Sequence, residues 1–263
     1  MNANKLLTDP ELLKALKILI IEAGDAILDI YHSNDFQTRL KNNDSPVTKA
    51  DLAAHHILAD GLTRLTPNIP IVSEEDDTSL AIPKVHNLYW LIDPLDGTKE
   101  FIQKSNEFTV NVALIENNKT VFGFVGIPAL AALYWGGSNF GAYKTQYTAI
   151  NELPEKIQVM QIKGLTRVFT SKSHLNSETK SFIENLSGNV ELIKAGSSLK
   201  FLRIAEGLAD LYPRLAPTCE WDTAAAHAVL EGAGGSVKQT DGTDVTYGKV
   251  DILNPHFVAK GLF

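Results

Sequence analysis

Trp90 to Phe101 reads W-L-I-D-P-L-D-G-T-K-E-F. Trp90, Leu91 and Ile92 have the apolar character of a buried strand end. Pro94 has no backbone N–H and biases Asp93 towards an extended conformation, so the strand is expected to stop at Asp93 and the chain to turn. Gly97 is available there for a backbone conformation that other residues avoid. Asp93 and Asp96 then share one rigid turn at a sheet edge. Like charges so close repel, and burying each costs several kcal/mol unless positive charge lies between them. A hard divalent cation with oxygen ligands, Mg²⁺ above all, supplies that charge. Taken alone, the same stretch also reads as ordinary D-P and D-G turn chemistry with solvated aspartates.

Working outwards, Ile69 to Val72 reads as a short strand running into Ser73-Glu74-Glu75-Asp76-Asp77. Consecutive acids are usually a solvated loop. At a strand end, however, the first carboxylate can point at whatever the neighbouring strand presents. That neighbour is the Trp90 strand, so Glu74 and Asp93 are expected to converge. Residues 78–87 read as an exposed loop. Pro10 to Tyr31 carries an apolar stripe at three-to-four spacing, from Leu12 to Ile30, the pattern of an amphipathic helix. Asp9 suits its cap and Pro10 its first position. Residues 34–46 are polar and form a loop. Thr48 to Leu65 reads as a second helix, with Thr48 and Asp51 spaced as a capping box. That capping role is a sufficient local reason for Asp51.

After the turn, 108–115, 120–127, 131–135 and 139–143 read as strands with short connections, an antiparallel meander. Beyond about residue 150 the rhythm changes. Arg167–Thr170, Val190–Ile193 and Ala209–Pro213 are strands that alternate with helices at Ser177–Leu186, Ser198–Gly207 and Asp222–Glu231; strands near Val237 and Phe257 follow. The expectation is an α/β protein: helices and an antiparallel sheet over 1–150, and a mixed α/β subdomain over 151–263.

Composition sets bounds. The chain has 263 residues, 44% hydrophobic and 21% charged, with a formal net charge of −7. The acidic balance argues against non-specific nucleic-acid binding, which needs a basic surface. Cys219 is the single cysteine, so no intrachain disulfide is possible, which suits a reducing compartment. No apolar run approaches the ~20 residues that span a bilayer. The N-terminus lacks the apolar core of a signal peptide. These point to a cytoplasmic protein. Among later residues, Asp222 opens an Ala-rich helix and suits its first turn or cap. Gly196-Ser197-Ser198-Leu199-Lys200 lies between strand and helix, where backbone N–H groups make anion sites. Lys200 and Arg214 either bind a second anionic group or are solvated surface charges. His174 lies in a loop after a strand. His55, His56, His227 and His256 lack metal-ligand spacing and read as structural, and Cys219 as inert.

Asp51, Glu74-Glu75, Asp93-Pro94-Leu95-Asp96-Gly97-Thr98 and Trp221-Asp222, in that order, resemble the lithium-sensitive, Mg²⁺-dependent phosphatase superfamily of inositol monophosphatases. K-E-F after D-G-T, T-S-K-S-H at 170–174, G-S-S-L-K-F at 196–201 and Y-P-R-L-A-P-T-C-E-W-D at 212–222 are most similar to its bacterial 3'(2'),5'-bisphosphate nucleotidases. The resemblance implies a layered αβαβα sandwich of the inositol monophosphatase/fructose-1,6-bisphosphatase type. It implies two to three Mg²⁺ ions: one on Glu74, Asp93 and the Leu95 carbonyl, one on Asp93, Asp96 and Asp222, and a weaker third on Glu74. It makes Asp51 and Thr98 the pair that orients and deprotonates the attacking water, with Glu75 counted beside them. Gly97 and Thr98 would hold the scissile phosphate through their N–H groups. His174, Ser197, Lys200 and Arg214, with Asp222 at the edge, would hold the nucleotide. The implied reaction turns 3'(2')-phosphoadenosine 5'-phosphate into AMP and phosphate, in sulfate assimilation and nucleotide recycling. A monomer is favoured over a homodimer, and some relatives sit on the inner membrane face. Two positions depart from the pattern: Ala226 stands in a glycine place, and Lys172 where arginine is common. A phosphatase for inositol or sugar phosphates, or a non-catalytic nucleotide or metal sensor on the same fold, are the rival readings.

Overall fold

The computed structural model describes residues 3–33, 35–41, 46–160, 164–170 and 176–262. Helix α1 (Ala3–Leu7) precedes α2 (Pro10–Ser33). Asp9 caps α2 as expected, its Oδ1 accepting from the Glu11 and Leu12 amides at 3.0 and 3.2 Å. The polar stretch that follows holds a small ladder, β1 (Arg39–Leu40) against β2 (Pro46–Val47), and leads into α3 (Lys49–Leu65). Next come β3 (Ile71–Ser73), β4 (Leu88–Asp96), α4 (Thr98–Ile102), β5 (Thr109–Glu116), β6 (Lys119–Ile127), β7 (Ala132–Gly137), β8 (Gly141–Gln146) and β9 (Glu155–Ile157). These seven strands form one sheet in chain order. Only β3 and β4 are parallel; the rest is the expected meander. The second sheet takes β10 (Leu165–Thr170), β11 (Asn189–Lys194), β12 (Leu211–Arg214), β13 (Ser236–Gln239) and β14 (Phe257–Lys260), with α5 (Ser177–Glu184), α6 (Leu199–Ala205) and α7 (Ala224–Gly232) between them in sequence.

Side chains of a strand alternate between the two faces of its sheet. On β4, Trp90 and Ile92 join the core formed with α2 and α3, whereas Tyr89 and Leu91 join the core formed with α6 and α7. On β5, Val112 and Leu114 face the first core and Ala113 and Ile115 the second. A sheet buried on both faces needs apolar residues at both parities, which is why β4 and β5 read as continuous apolar runs. The second core also takes Phe169 and Phe257 from the other sheet. The layers are therefore α2/α3, sheet, α6/α7, sheet, with α5 packed on β12.

Two expectations are corrected. The strand carrying Asp93 does not stop there but runs to Asp96, with a register shift: Asp93 faces Asn111 and Asp96 faces Thr109. Three steps on β4 thus oppose two on β5, a bulge that absorbs Pro94, which could not have donated to the ladder. Residues 78–87 are not simply a loop: Asp77–Lys84 forms a 3₁₀ helix, started by the Thr78 amide donating to the Asp76 carboxylate at 3.0 Å.

Helix α7 lies directly on β6. A Cβ built on Gly123 would stand 2.1 Å from the Ala225 carbonyl oxygen, a backbone atom that cannot rotate away. Gly123→Ala is therefore expected to shift α7 and cost about 1–3 kcal/mol, the usual range for overpacking; a lowered denaturant midpoint at unchanged slope would show it.

Candidate active site

The parallel register of β3 and β4 pairs Ser73 with Ile92, so the next residues, Glu74 just past β3 and Asp93 still within β4, lie side by side. The Glu74 amide donates to the Ile92 carbonyl at 3.2 Å, which fixes that junction. Asp222 arrives from just before α7, and Glu74, Asp93 and Asp222 each bring an oxygen within 4.8 Å of the others. Asp222 is not the helix cap. Thr223 holds that position, and Asp222 Oδ2 instead accepts from the Cys219 amide at 2.8 Å. Asp93 Oδ1 accepts from the Leu95 amide at 3.0 Å, while Oδ2 is buried with no hydrogen-bond partner among the described residues. Asp96 is adjacent, its Oδ2 accepting from the Ser198 amide at 2.6 Å.

Burial first, then repulsion from Glu74, Asp96 and Asp222, holds the Asp93 carboxyl well above the usual range. Burial also raises Asp222, with Asp96 and Glu74 adding to it. Asp96 is pushed up to about 6, again chiefly by burial, although the Lys200 charge and the Ser198 amide pull the other way. An orphaned buried carboxylate oxygen among carboxylates that resist ionising together is the donor set a hard cation requires. The residues present fit Mg²⁺.

Asp51 closes the expected capping box and also takes a hydrogen bond from Thr98. Its Oδ2 accepts from the Thr48 amide and hydroxyl at 2.7 and 2.6 Å, closing the capping box. Its Oδ1 accepts from the Thr98 hydroxyl at 3.1 Å. That hydroxyl also lies 3.3 Å from the Leu95 carbonyl and has one proton for two acceptors. Burial raises the Asp51 carboxyl, and the hydrogen bonds from Thr48 and Thr98 oppose the rise. Gly97 has φ 92°, the left-handed region, and starts α4 with Thr98 behind it.

Lys41 was not singled out from the sequence. Its ammonium lies 2.9 Å from Glu74 Oε1 and 2.6 Å from Glu75 Oε1. Burial works against its charge, but the two carboxylates outweigh burial and raise it. Glu75 is pushed up to about 7 by burial, despite Lys41. An acidic run entering a buried site needs a cation, and that was the available signal, but nothing local chooses Lys41 among several lysines.

The carboxylates open into a cleft of 450 Å³ whose lining includes Glu100, Ser197, Lys200, Tyr212 and Arg214. Lys200 is no solvated surface charge. It is 5% exposed, lies 5.0 Å from the Tyr212 ring centroid, and donates to the Ser197 carbonyl at 2.6 Å. Burial lowers it to about 8, although the Asp96 charge pulls it up. The Gly196 and Ser198 amides do bind anions, but these are the chain's own Glu107 and Asp96 carboxylates, each at 2.6 Å. Arg214 donates to the Pro217 carbonyl at 2.8 Å, and its Nε is buried without a partner among the described residues. His174 and Lys172 lie outside the described residues. Ala226 is fully buried in the core between the sheets. Burial pushes the Cys219 thiol up to about 12, consistent with inertness.

A carboxylate nest at the edge of a meander sheet, with a cation-lined cleft against a second mixed sheet, defines a class, and comparison agrees. The profile of the inositol monophosphatase family matches residues 9–262, so the chain belongs to that family. The chain is 43% identical, over 237 residues, to the 3'(2'),5'-bisphosphate nucleotidase CysQ of Salmonella typhimurium, covering 89% of this chain and 94% of that protein. It is 42% identical over 237 residues to CysQ of Escherichia coli K12. The crystal structure of CysQ from Bacteroides thetaiotaomicron superposes with a TM-score of 0.84 at 37% identity, covering 97% of this chain and 98% of that one. No helix among the described residues is long and apolar enough to cross a membrane.

A carboxyl raised on folding binds its proton more tightly in the folded state, so its contribution to stability falls as pH rises from its unfolded value to its folded one. For Asp96 and Glu75 that window runs from about 4 to about 6 and 7 respectively. The metal-free protein is expected to melt at a higher temperature near pH 5 than at pH 7.5. Added Mg²⁺ is expected to raise the melting temperature more at pH 7.5 than at pH 5; thermal scans with and without chelator check this.

Proposed function

We propose that this chain is a Mg²⁺-dependent phosphomonoesterase that hydrolyses 3'(2')-phosphoadenosine 5'-phosphate to AMP and phosphate. The observation that carries the reading is the convergence of Glu74, Asp93 and Asp222 within 4.8 Å beside the Asp51–Thr98 pair. The names and coverage of the CysQ relatives support the substrate class. Glu74, Asp93, Asp96, Asp222 and the Leu95 carbonyl would hold the metal. When bound, Mg²⁺ supplies the positive charge that offsets these carboxylates and the phosphate, and it makes water a usable nucleophile near neutral pH.

The protein's own groups do the rest. The Thr98 hydroxyl, donating to Asp51 Oδ1, is set to accept a proton from the attacking water as its own passes to Asp51. Burial suits Asp51 to that task by raising its basicity. Glu75, tied to Lys41, holds the Glu74 side chain in place from behind. The Gly97 and Thr98 amides face the transferred phosphoryl group at the start of α4. Ser197, Arg214 and Asp222 line the cleft in which the nucleoside and its 5'-phosphate would lie. Arg214 Nε, buried without a partner among the described residues, is a donor suited to an anion. His174 is assigned to the same substrate by family resemblance.

Mg²⁺-dependent phosphate release from 3'-phosphoadenosine 5'-phosphate is expected to exceed release from inositol 1-phosphate and fructose 1,6-bisphosphate, and to be inhibited by lithium. Preference for inositol phosphate would retain the metal site and remove the nucleotide reading. Asp93→Asn is expected to lower turnover at least about 100-fold, beyond the loss usual for outer groups of a metal site, with the fold intact by circular dichroism.

A further inference from the structure

Glu107 lies on the connection between α4 and β5, immediately before Phe108, whose fully buried ring packs on Tyr31 and Phe101. Its carboxylate accepts from the Gly196 amide at 2.6 Å across the cleft wall. One turn further, the Ser198 amide donates to Asp96 at 2.6 Å. From beneath, the Lys200 ammonium donates to the Ser197 carbonyl at 2.6 Å and reaches the Ala195 carbonyl at 3.4 Å. Two carboxylates thus hold the amides of the 195–198 turn and one ammonium holds its carbonyls. Hydrogen bonds to charged groups are about twice as strong as neutral ones.

The turn has reason to need them. Ser197 has φ 40°, in the left-handed region that residues with a side chain avoid. Such a conformation persists only where its surroundings over-determine it. Ser197 Oγ is buried, lines the cleft, and has no hydrogen-bond partner among the described residues. A Cβ built on Gly97 would lie 3.4 Å from Ser197 Cβ and 3.0 Å from the Glu107 carbonyl, so Ser197 and the Glu107 backbone both flank the phosphate turn.

We infer that Glu107 is a positioning residue for nucleotide affinity: by holding the Gly196 amide it keeps Ser197 in its left-handed conformation, with its hydroxyl directed at the substrate. Lys200 belongs to the same clamp and acts through the turn. The inference rests on the nucleotidase reading, and a selectivity test separates the two.

Glu107→Ala is expected to raise the KM for 3'-phosphoadenosine 5'-phosphate about 10-fold, the scale of one lost hydrogen bond to a charged group, and to raise that for inositol 1-phosphate much less. Glu107→Gln keeps an acceptor oxygen and is expected to restore most of the affinity. Combining Glu107→Ala with Ser197→Ala is expected to raise KM little beyond Ser197→Ala alone, because residues acting through one another are not additive. Equal KM changes for both substrates, an unchanged nucleotide KM, or full additivity with Ser197→Ala would overturn the role of Glu107. If the unmodified protein shows no preference for the nucleotide, the nucleotidase reading itself fails, whatever the variants do.

Discussion

Mutual repulsion among buried carboxylates is the constraint around which this protein is built. Asp93, Asp96 and Asp222 stand where desolvation and neighbouring charges, that of Glu74 among them, disfavour ionisation. Left alone, such a cluster destabilises the fold at neutral pH. It persists because the scaffold holding it is stiff. The end of β3, the bulge around Pro94 within β4 and the segment before α7 are each tied by backbone hydrogen bonds or packed against a double-faced sheet. The surrounding cores contribute the stability that the site consumes. In the proposed reading, a divalent cation held there would resolve the conflict and gain its affinity from it.

The same logic places the cations. Lys41 and Lys200 are both drawn from water towards carboxylates, but with opposite results. Lys41 meets two carboxylates directly, and they more than offset its burial. Lys200 has the Asp96 charge near it but only carbonyl oxygens at its ammonium, and burial prevails. One lysine therefore acts as a counter-ion at the acidic site, and the other as a brace beneath the turn that carries Ser197.

Asp51 illustrates how a helix cap and the role proposed for it can share one side chain. A carboxylate has two oxygens; one closes the capping box of α3 and the other takes the Thr98 hydroxyl. The cap holds the side chain in one orientation, and that fixed orientation is what a group handling a proton requires. Asp222 shows the opposite outcome. A position that looks like a helix cap lies one residue too early, and the carboxylate joins those of Glu74 and Asp93 instead.

Much of the architecture was legible because its causes are local. The alternation of strands and helices, the Asp9 cap, the capping box and the convergence of Glu74 with Asp93 follow from side-chain period, turn residues and the order of neighbouring strands. The bulge was misread as a strand end because the ability of β5 to tolerate an extra residue opposite it is a property of the pairing, not of Pro94. Family resemblance assigned Asp222 to the metal and Ser197 and Arg214 to the nucleotide, and no local rule implies that Asp222 comes within 4.8 Å of Asp93. What only the tertiary structure decided is how each charge is compensated: Lys41 on Glu74 and Glu75, Lys200 under Ser197, Glu107 on Gly196. Sequence on its own determined which charges this protein carries and on which elements they ride. Their partners depend on distances between segments far apart in the chain, and electrostatic energy is set by those distances and by burial, neither of which is written in local sequence.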